Sequence, residues 1–147
     1  MRGRLFLLTL LIGALSGCTD LEFTDVSNES SSRALIGTQY EVVGDVDAYG
    51  IKGRPNGEVE YISLIPPPGF TGWERGFKVP LERGSIITVT KVMKTNRWLD
   101  GRDAFIVTVE GTKMPLDTAE TRLELNLGNE GDGHLKVNPT IYQRIER

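Results

Sequence analysis

Beyond residue 34 the apolar residues recur at every second position in short runs, the signature of strands with one face buried. The clearest run is RLELNL, residues 122–127, where Leu123, Leu125 and Leu127 alternate with Arg122, Glu124 and Asn126. In AFIVTVE, residues 104–110, Phe105, Val107 and Val109 form one face while Ala104 and Ile106 make the other face apolar at its start, so this strand is covered on both sides at one end. In SIITVTKVMK, residues 85–94, Ile87 and Val89 share one parity and Val92 takes the other. That phase change predicts a β-bulge at Thr90 or Lys91. Further strands are predicted over 40–46, 58–65, 135–137 and 140–145.

Turn chemistry punctuates these runs. Asn56-Gly57 and Asp100-Gly101 suit tight hairpins, Arg83-Gly84 precedes the 85–94 strand, and Asn138-Pro139 precedes the last one. GNEGDG, residues 128–133, reads as a mobile loop. In MPLDTAETRL, residues 114–123, Asp117 and Glu120 have capping-box spacing and Leu116, Ala119 and Leu123 recur at helical intervals, which predicts one or two helical turns. The fold class is therefore all-β and mainly antiparallel: a small, partly open barrel bent by its bulges, with a β-sandwich as the alternative.

The first eighteen residues follow a different pattern. Arg2 and Arg4 precede a largely apolar run over residues 5–15, and Ser16 and Gly17 are small residues before Cys18, the only cysteine of 147 residues. This is the layout of a secretory signal. The run covers roughly half of the ~30 Å of hydrocarbon that a spanning helix must cross. Leu15, Ser16, Gly17 and Cys18 resemble the lipobox of bacterial lipoproteins. The resemblance implies cleavage between Gly17 and Cys18 and acylation of the Cys18 thiol, and several acyl chains on one residue make a stable anchor. Thr19 after the cysteine implies sorting to the outer membrane. The expected organisation is a signal peptide at 1–17, a lipidated cysteine and flexible tether at 18–33, polar and serine-rich, and a β domain at 34–147; the alternative for Leu21, Phe23 and Val26 is that they pack onto the domain or dip into the headgroups.

Cleavage would remove two of the 17 basic residues and none of the 20 acidic ones, leaving a net charge of −5. That sign, with no long basic cluster, argues against nucleic acid as a partner. With one cysteine, no intrachain disulfide can form, so stability rests on packing.

The order of GTQYEVVGDVDAYGI, YISLIPPPG and VPLERGSIITVTKV resembles that of SH3-like domains in bacterial lipoproteins, with a long first loop at 65–85. That loop is the expected binding site. Pro66, Pro67 and Pro68 stiffen it as a polyproline turn, and Phe70, Trp73 and Phe77 with Arg75 have the chemistry of contact hot spots, able to stack on a sugar, a peptide or a protein. Trp98 is a second stacking candidate, with a cover over the sheet as its alternative role. Phe70 and Phe77 have an equal claim to close the end of the barrel.

Catalytic signals are thinner. His134 is the only histidine, and no glycine-x-serine-x-glycine elbow is present. With Cys18 assigned to lipid, neither zinc nor any other metal or cofactor is expected. Asp45 with Asp47, and Glu58 with Glu60, have the two-residue spacing of a carboxylate pair, but a solvated strand face is the commoner setting. Asn129, Glu130 and Asp132 lack the pattern of a calcium loop. The expected function is non-enzymatic: an envelope lipoprotein, membrane-bound through its lipid, that binds peptidoglycan or another envelope protein. The rivals are a hydrolase of envelope polymers using carboxylates or His134, and an inhibitor that plugs a foreign enzyme with the 66–77 loop.

Overall fold

The computed structural model describes residues 22–96 and 103–146. The signal, Gly17, Cys18, Trp98 and the Asp100-Gly101 turn lie outside the described residues. Among the described residues, nine strands form one hydrogen-bonded sheet: β1 (Phe23–Asp25), β2 (Gln39–Val42), β3 (Asp47–Lys52), β4 (Val59–Ile65), β5 (Arg75–Pro80), β6 (Ile86–Thr95), β7 (Asp103–Glu110), β8 (Glu120–Glu124) and β9 (Tyr142–Arg144). Helix is confined, among the described residues, to a single α turn, α1 (Ser30–Arg33), and a 3-10 turn at Leu125–Leu127. The protein is all-β.

The strand order is β5-β3-β4-β8-β7-β6-β2-β9, with β1 also on β6. The sheet is not closed, since β5 and β9 end it. All its pairings are antiparallel except β4 with β8, which runs parallel and was not anticipated from the turn signals.

The expected bulge is present. Register against β7 shifts between Val89 and Lys91, leaving Thr90 as the extra residue. Val89 and Val92 are consequently both buried, on one inner face, despite opposite parity. The bulge also divides the labour of β6: Ile86, Ile87 and Thr88 pair with β2, and Met93, Lys94 and Thr95 pair with β1. Alternate residues of the strands then converge on one apolar cluster, in which Ala48 and Leu64 from one end of the strand order meet Val42 and Tyr142 from the other. The sheet curls around its own core. As expected, β7 is buried on both faces from Asp103 to Val107; beyond, Thr108 and Glu110 are exposed while Val109 stays half-buried against the core.

Several elements differ from the sequence reading. The strand expected over 122–127 holds only to Glu124, after which Leu125–Leu127 forms the 3-10 turn, and β3 lies in a stretch to which the sequence pattern assigns no strand. The 40–46 strand breaks at Gly44, where the chain passes so close to Thr140 that a Cβ would lie 2.4 Å from its carbonyl oxygen. The capping-box segment is not helical: Glu120–Glu124 is β8, inserted between β4 and β7, so pairing on both sides overrides the local helical spacing. Leu135–Val137 contributes a single bridge, Val137 with Glu130. Residues 75–80, assigned to the long loop, form β5 on the outer side of β3.

The expected tether is ordered from Glu22 onward. Phe23–Asp25 pairs with β6, Val26 N–H donates to Val92 O at 2.9 Å, and Val26 and Leu35 pack against the core. Ser27 Oγ accepts from Val92 N–H at 3.0 Å and donates to Asp25 Oδ1.

Candidate functional site

One face of β3, β4 and β8 looks into the core; the opposite face carries Tyr49 and Ile51, Tyr61, Ser63 and Ile65, and Arg122 and Glu124. That parity follows from the registers Tyr49↔Ser63 and Ser63↔Arg122. An outward face would normally be solvated, yet Tyr49, Ser63, Ile65 and Glu124 are all buried. The cover over it comes from the proline turn.

Gly69 N–H donates to Pro66 O at 3.0 Å, and the Pro67-Pro68 peptide is cis. The three prolines therefore close a tight turn and do not extend as a polyproline helix. Gly69 has φ +70°, and a Cβ there would fall 2.0 Å from Tyr49 Oη, so only glycine lets the turn rest on that ring. Phe70 then packs on Tyr49 with centroids 5.0 Å apart.

Between this turn and the sheet lies a groove of about 530 Å³. Its walls are Ile51, Tyr61, Ile65 and Phe70 with the three prolines; Ser63 is its floor, and Glu74 and Glu124 bring carboxylates to it. Ser63 is 1% exposed and its hydroxyl has no hydrogen-bond partner. Such an orphan costs about 1–3 kcal/mol unless a ligand or water satisfies it.

Charges of both signs act on Tyr61. Burial, followed by the Glu124 carboxylate, holds the Tyr61 hydroxyl above its ordinary pKa, against the opposing pull of Arg122. Arg122 is on the same face but engaged elsewhere: its guanidinium stacks 4.0 Å from the Tyr61 ring and 4.9 Å from that of Phe23, and its Nε donates to Glu120 at 2.9 Å. Among the described residues, no lysine or arginine lines the groove.

The expected contact residues separate. Phe70 lines the groove, and Phe77 folds back under Gly50 against the core. Trp73, beside Glu74 in the chain, is 49% exposed, and Arg75 is exposed at the start of β5. Trp98 and Cys18 cannot be placed, being outside the described residues. Ser63, Tyr61 and Glu124 were missed, since the alternation of RLELNL reads Glu124 as solvated and nothing local signals that the proline turn covers it.

The chain matches no protein family, no curated protein and no solved structure. The site is therefore read from its own chemistry.

The carboxylate pairs do not converge. Asp45 Oδ1 pairs with Arg83 at 2.8 Å and Asp47 Oδ2 with Lys78 at 3.0 Å, while Glu58 and Glu60 are exposed. Among the described residues no cluster of three histidine, cysteine or acidic side chains could hold a metal ion. A second cavity, of about 760 Å³, lies between α1, β9 and the 134–139 segment. His134 lines it, two-thirds exposed, with Nδ1 3.7 Å from Asp103 Oδ2.

Proposed function

We propose that this protein is a bacterial envelope lipoprotein, anchored through acylated Cys18 and sorted to the outer membrane, whose β domain binds peptidoglycan or another envelope protein without catalysis. The lipobox-like sequence before Cys18 supports the location. The observation that carries the binding is the groove beneath the proline turn, with an unpartnered buried hydroxyl on its floor and a half-exposed tryptophan beside it. Buried polar groups left unmatched in a folded chain are what a ligand completes.

The finer fold likeness belongs to the same proposal. The curled sheet, its bulge at Thr90 and the long excursion after β4 support a relation to the SH3-like barrels of bacterial lipoproteins, in an open form.

The docked β1 strand alters what the anchor does. From Cys18 to Phe23 is five residue steps, and a fully extended chain covers at most about 3.6 Å per step, so lipid on Cys18 would hold β1 within roughly 18 Å of its own attachment point. The domain then works against the membrane surface, not at the end of a long leash. Restricted to that layer, a modest affinity for an envelope component is amplified by its local concentration.

The test is a photoreactive residue at exposed position 71, close to Trp73, in living cells, together with co-sedimentation of the protein with purified peptidoglycan. The reading expects a discrete cross-link, or co-sedimentation, that is lost in Trp73→Ala while the fold persists. Capture that is absent, or that is indifferent to Trp73→Ala, overturns it.

A hydrolase reading has one observation in its favour, the approach of His134 to Asp103 beside the second cavity. It predicts cleavage of envelope polymers that His134→Ala abolishes.

A further inference from the structure

The core-facing row of β9 ends in a cation. Tyr142 pairs with Val42 and Arg144 with Tyr40, so Arg144 shares a side of the sheet with three members of the apolar cluster. It is nevertheless exposed, at the place where the cavity of about 760 Å³ opens between α1, β9 and the 134–139 segment. Burial raises the Tyr40 hydroxyl above its ordinary pKa and Arg144 opposes that rise, so the guanidinium charge bears on the cavity wall.

The facing wall is built by alternation. Leu135 and Val137 are buried, while His134 and Lys136 between them are exposed. The first pair joins Leu35, Tyr40 and Tyr142 in an apolar floor, and the second brings two basic side chains to the lining. His134 leans toward Asp103, which does not line the cavity. Arg144 and Lys136 form no ion pair with any described residue. The chain carries 20 acidic residues against 17 basic ones, yet among the described residues no aspartate or glutamate lines this cavity.

A cationic ligand would meet Arg144 and Lys136 with like charge. A neutral apolar ligand would cover the floor and draw two cations into a drier setting without a counter-charge. A small inorganic anion would leave the apolar floor wet. An anionic head on an aliphatic chain satisfies both parts: the arginine fork grips a carboxylate or phosphate through parallel N–H donors, the lysine adds a point charge, and the chain removes the floor from water.

We infer that the cavity between α1 and β9 binds a single-chain amphiphilic acid, its carboxylate or phosphate head at Arg144 and Lys136 and its aliphatic chain along Leu35, Leu135 and Val137. The cavity shares no lining residue with the groove beneath the proline turn, so this is a second ligand site whose occupation does not depend on Trp73.

The experiment uses the full ¹⁵N-labelled chain in non-ionic detergent. Hexanoate, hexyl phosphate, acetate, inorganic phosphate, 1-hexanol and hexylamine are titrated at measured free concentration while amide shifts are followed. The expected result is saturable shifts at Leu35, Leu135 and Arg144 with hexanoate or hexyl phosphate, weaker by about tenfold or more with hexanol and with either chainless anion, and absent with hexylamine. Either chain-bearing anion supports the inference, and the tighter of the two names the head. Arg144→Gln weakens binding by about fivefold or more and Lys136→Gln by about twofold or more. Both positions are exposed, so the fold persists in each variant. Chain-bearing anions that shift none of these amides, bind no better than hexanol, bind no better than their chainless counterparts, or bind Arg144→Gln as they bind the parent overturn the inference.

Discussion

Tyr142 Oη donates a 2.6 Å hydrogen bond to Asn129 Oδ1, and Asn129 Nδ2 donates in turn to Leu64 O and Glu124 O, at 2.8 and 2.9 Å. One fully buried amide thus joins β9 to β4 and β8, from a loop whose composition suggests mobility. It also fixes the backbone from which Glu124 reaches the groove. Tyr142→Phe removes the donor and strands a buried carbonyl oxygen, so stability should fall by about 1–3 kcal/mol. Denaturant titration of the variant against the parent, at equal slope, checks this.

The same tyrosine predicts an alkaline limit. Burial pushes the Tyr142 hydroxyl far above its ordinary pKa, and raises Tyr40 and Tyr61 as well. Below about pH 10 both folded and unfolded chains keep these protons and stability does not depend on them. Above it the unfolded chain ionises while folded Tyr142 keeps its proton, so the unfolded state binds fewer protons and stability drops, toward about 1.4 kcal/mol per pH unit for that tyrosine. Melting temperature measured from pH 8 to 11.5 should be flat and then fall, and the fall should be shallower in Tyr142→Phe.

At Gly69, alanine meets two obstacles, a left-handed backbone and the Tyr49 hydroxyl. The conformation alone costs about 1–2 kcal/mol. The turn should lift from Tyr49, taking Phe70 with it, so Gly69→Ala is expected to lower the melting temperature and to shift the amides around the groove while leaving the inner-face amides of β6 and β7 in place.

Phe105 sits fully buried on β7, between β6 and β8. Phe105→Ala should cost about 3–5 kcal/mol, a large share of a small domain's stability. Trp73→Ala, at a half-exposed position, should change stability by no more than about 0.5 kcal/mol. Parallel thermal melts distinguish a core position from a contact position.

What the sequence made legible was local. Period-two runs located β4, β6, β7 and β9, and the parity change from Val89 to Val92 located the bulge, because side-chain alternation is written directly in the order of residues. β5 was hidden by Gly76 and Pro80, although Phe77 and Val79 alternate with Lys78; a strand with one neighbour tolerates such residues. The parallel contact of β4 with β8 joins segments more than fifty residues apart, and no local signal encodes it. The same holds for the groove. Pro66–Pro68 and Phe70 were visible as a rigid aromatic segment, but Ser63, Tyr61 and Glu124 become a site only when the turn folds across their face.

Location and contact both depend on Cys18 carrying lipid. Mass spectrometry of the protein purified from its native host measures this directly. The account predicts a chain that begins at Cys18, lacks residues 1–17 and carries the added mass of a diacylglyceryl group on that residue. A chain that retains Arg2 and Arg4 with an unmodified Cys18 thiol would contradict it.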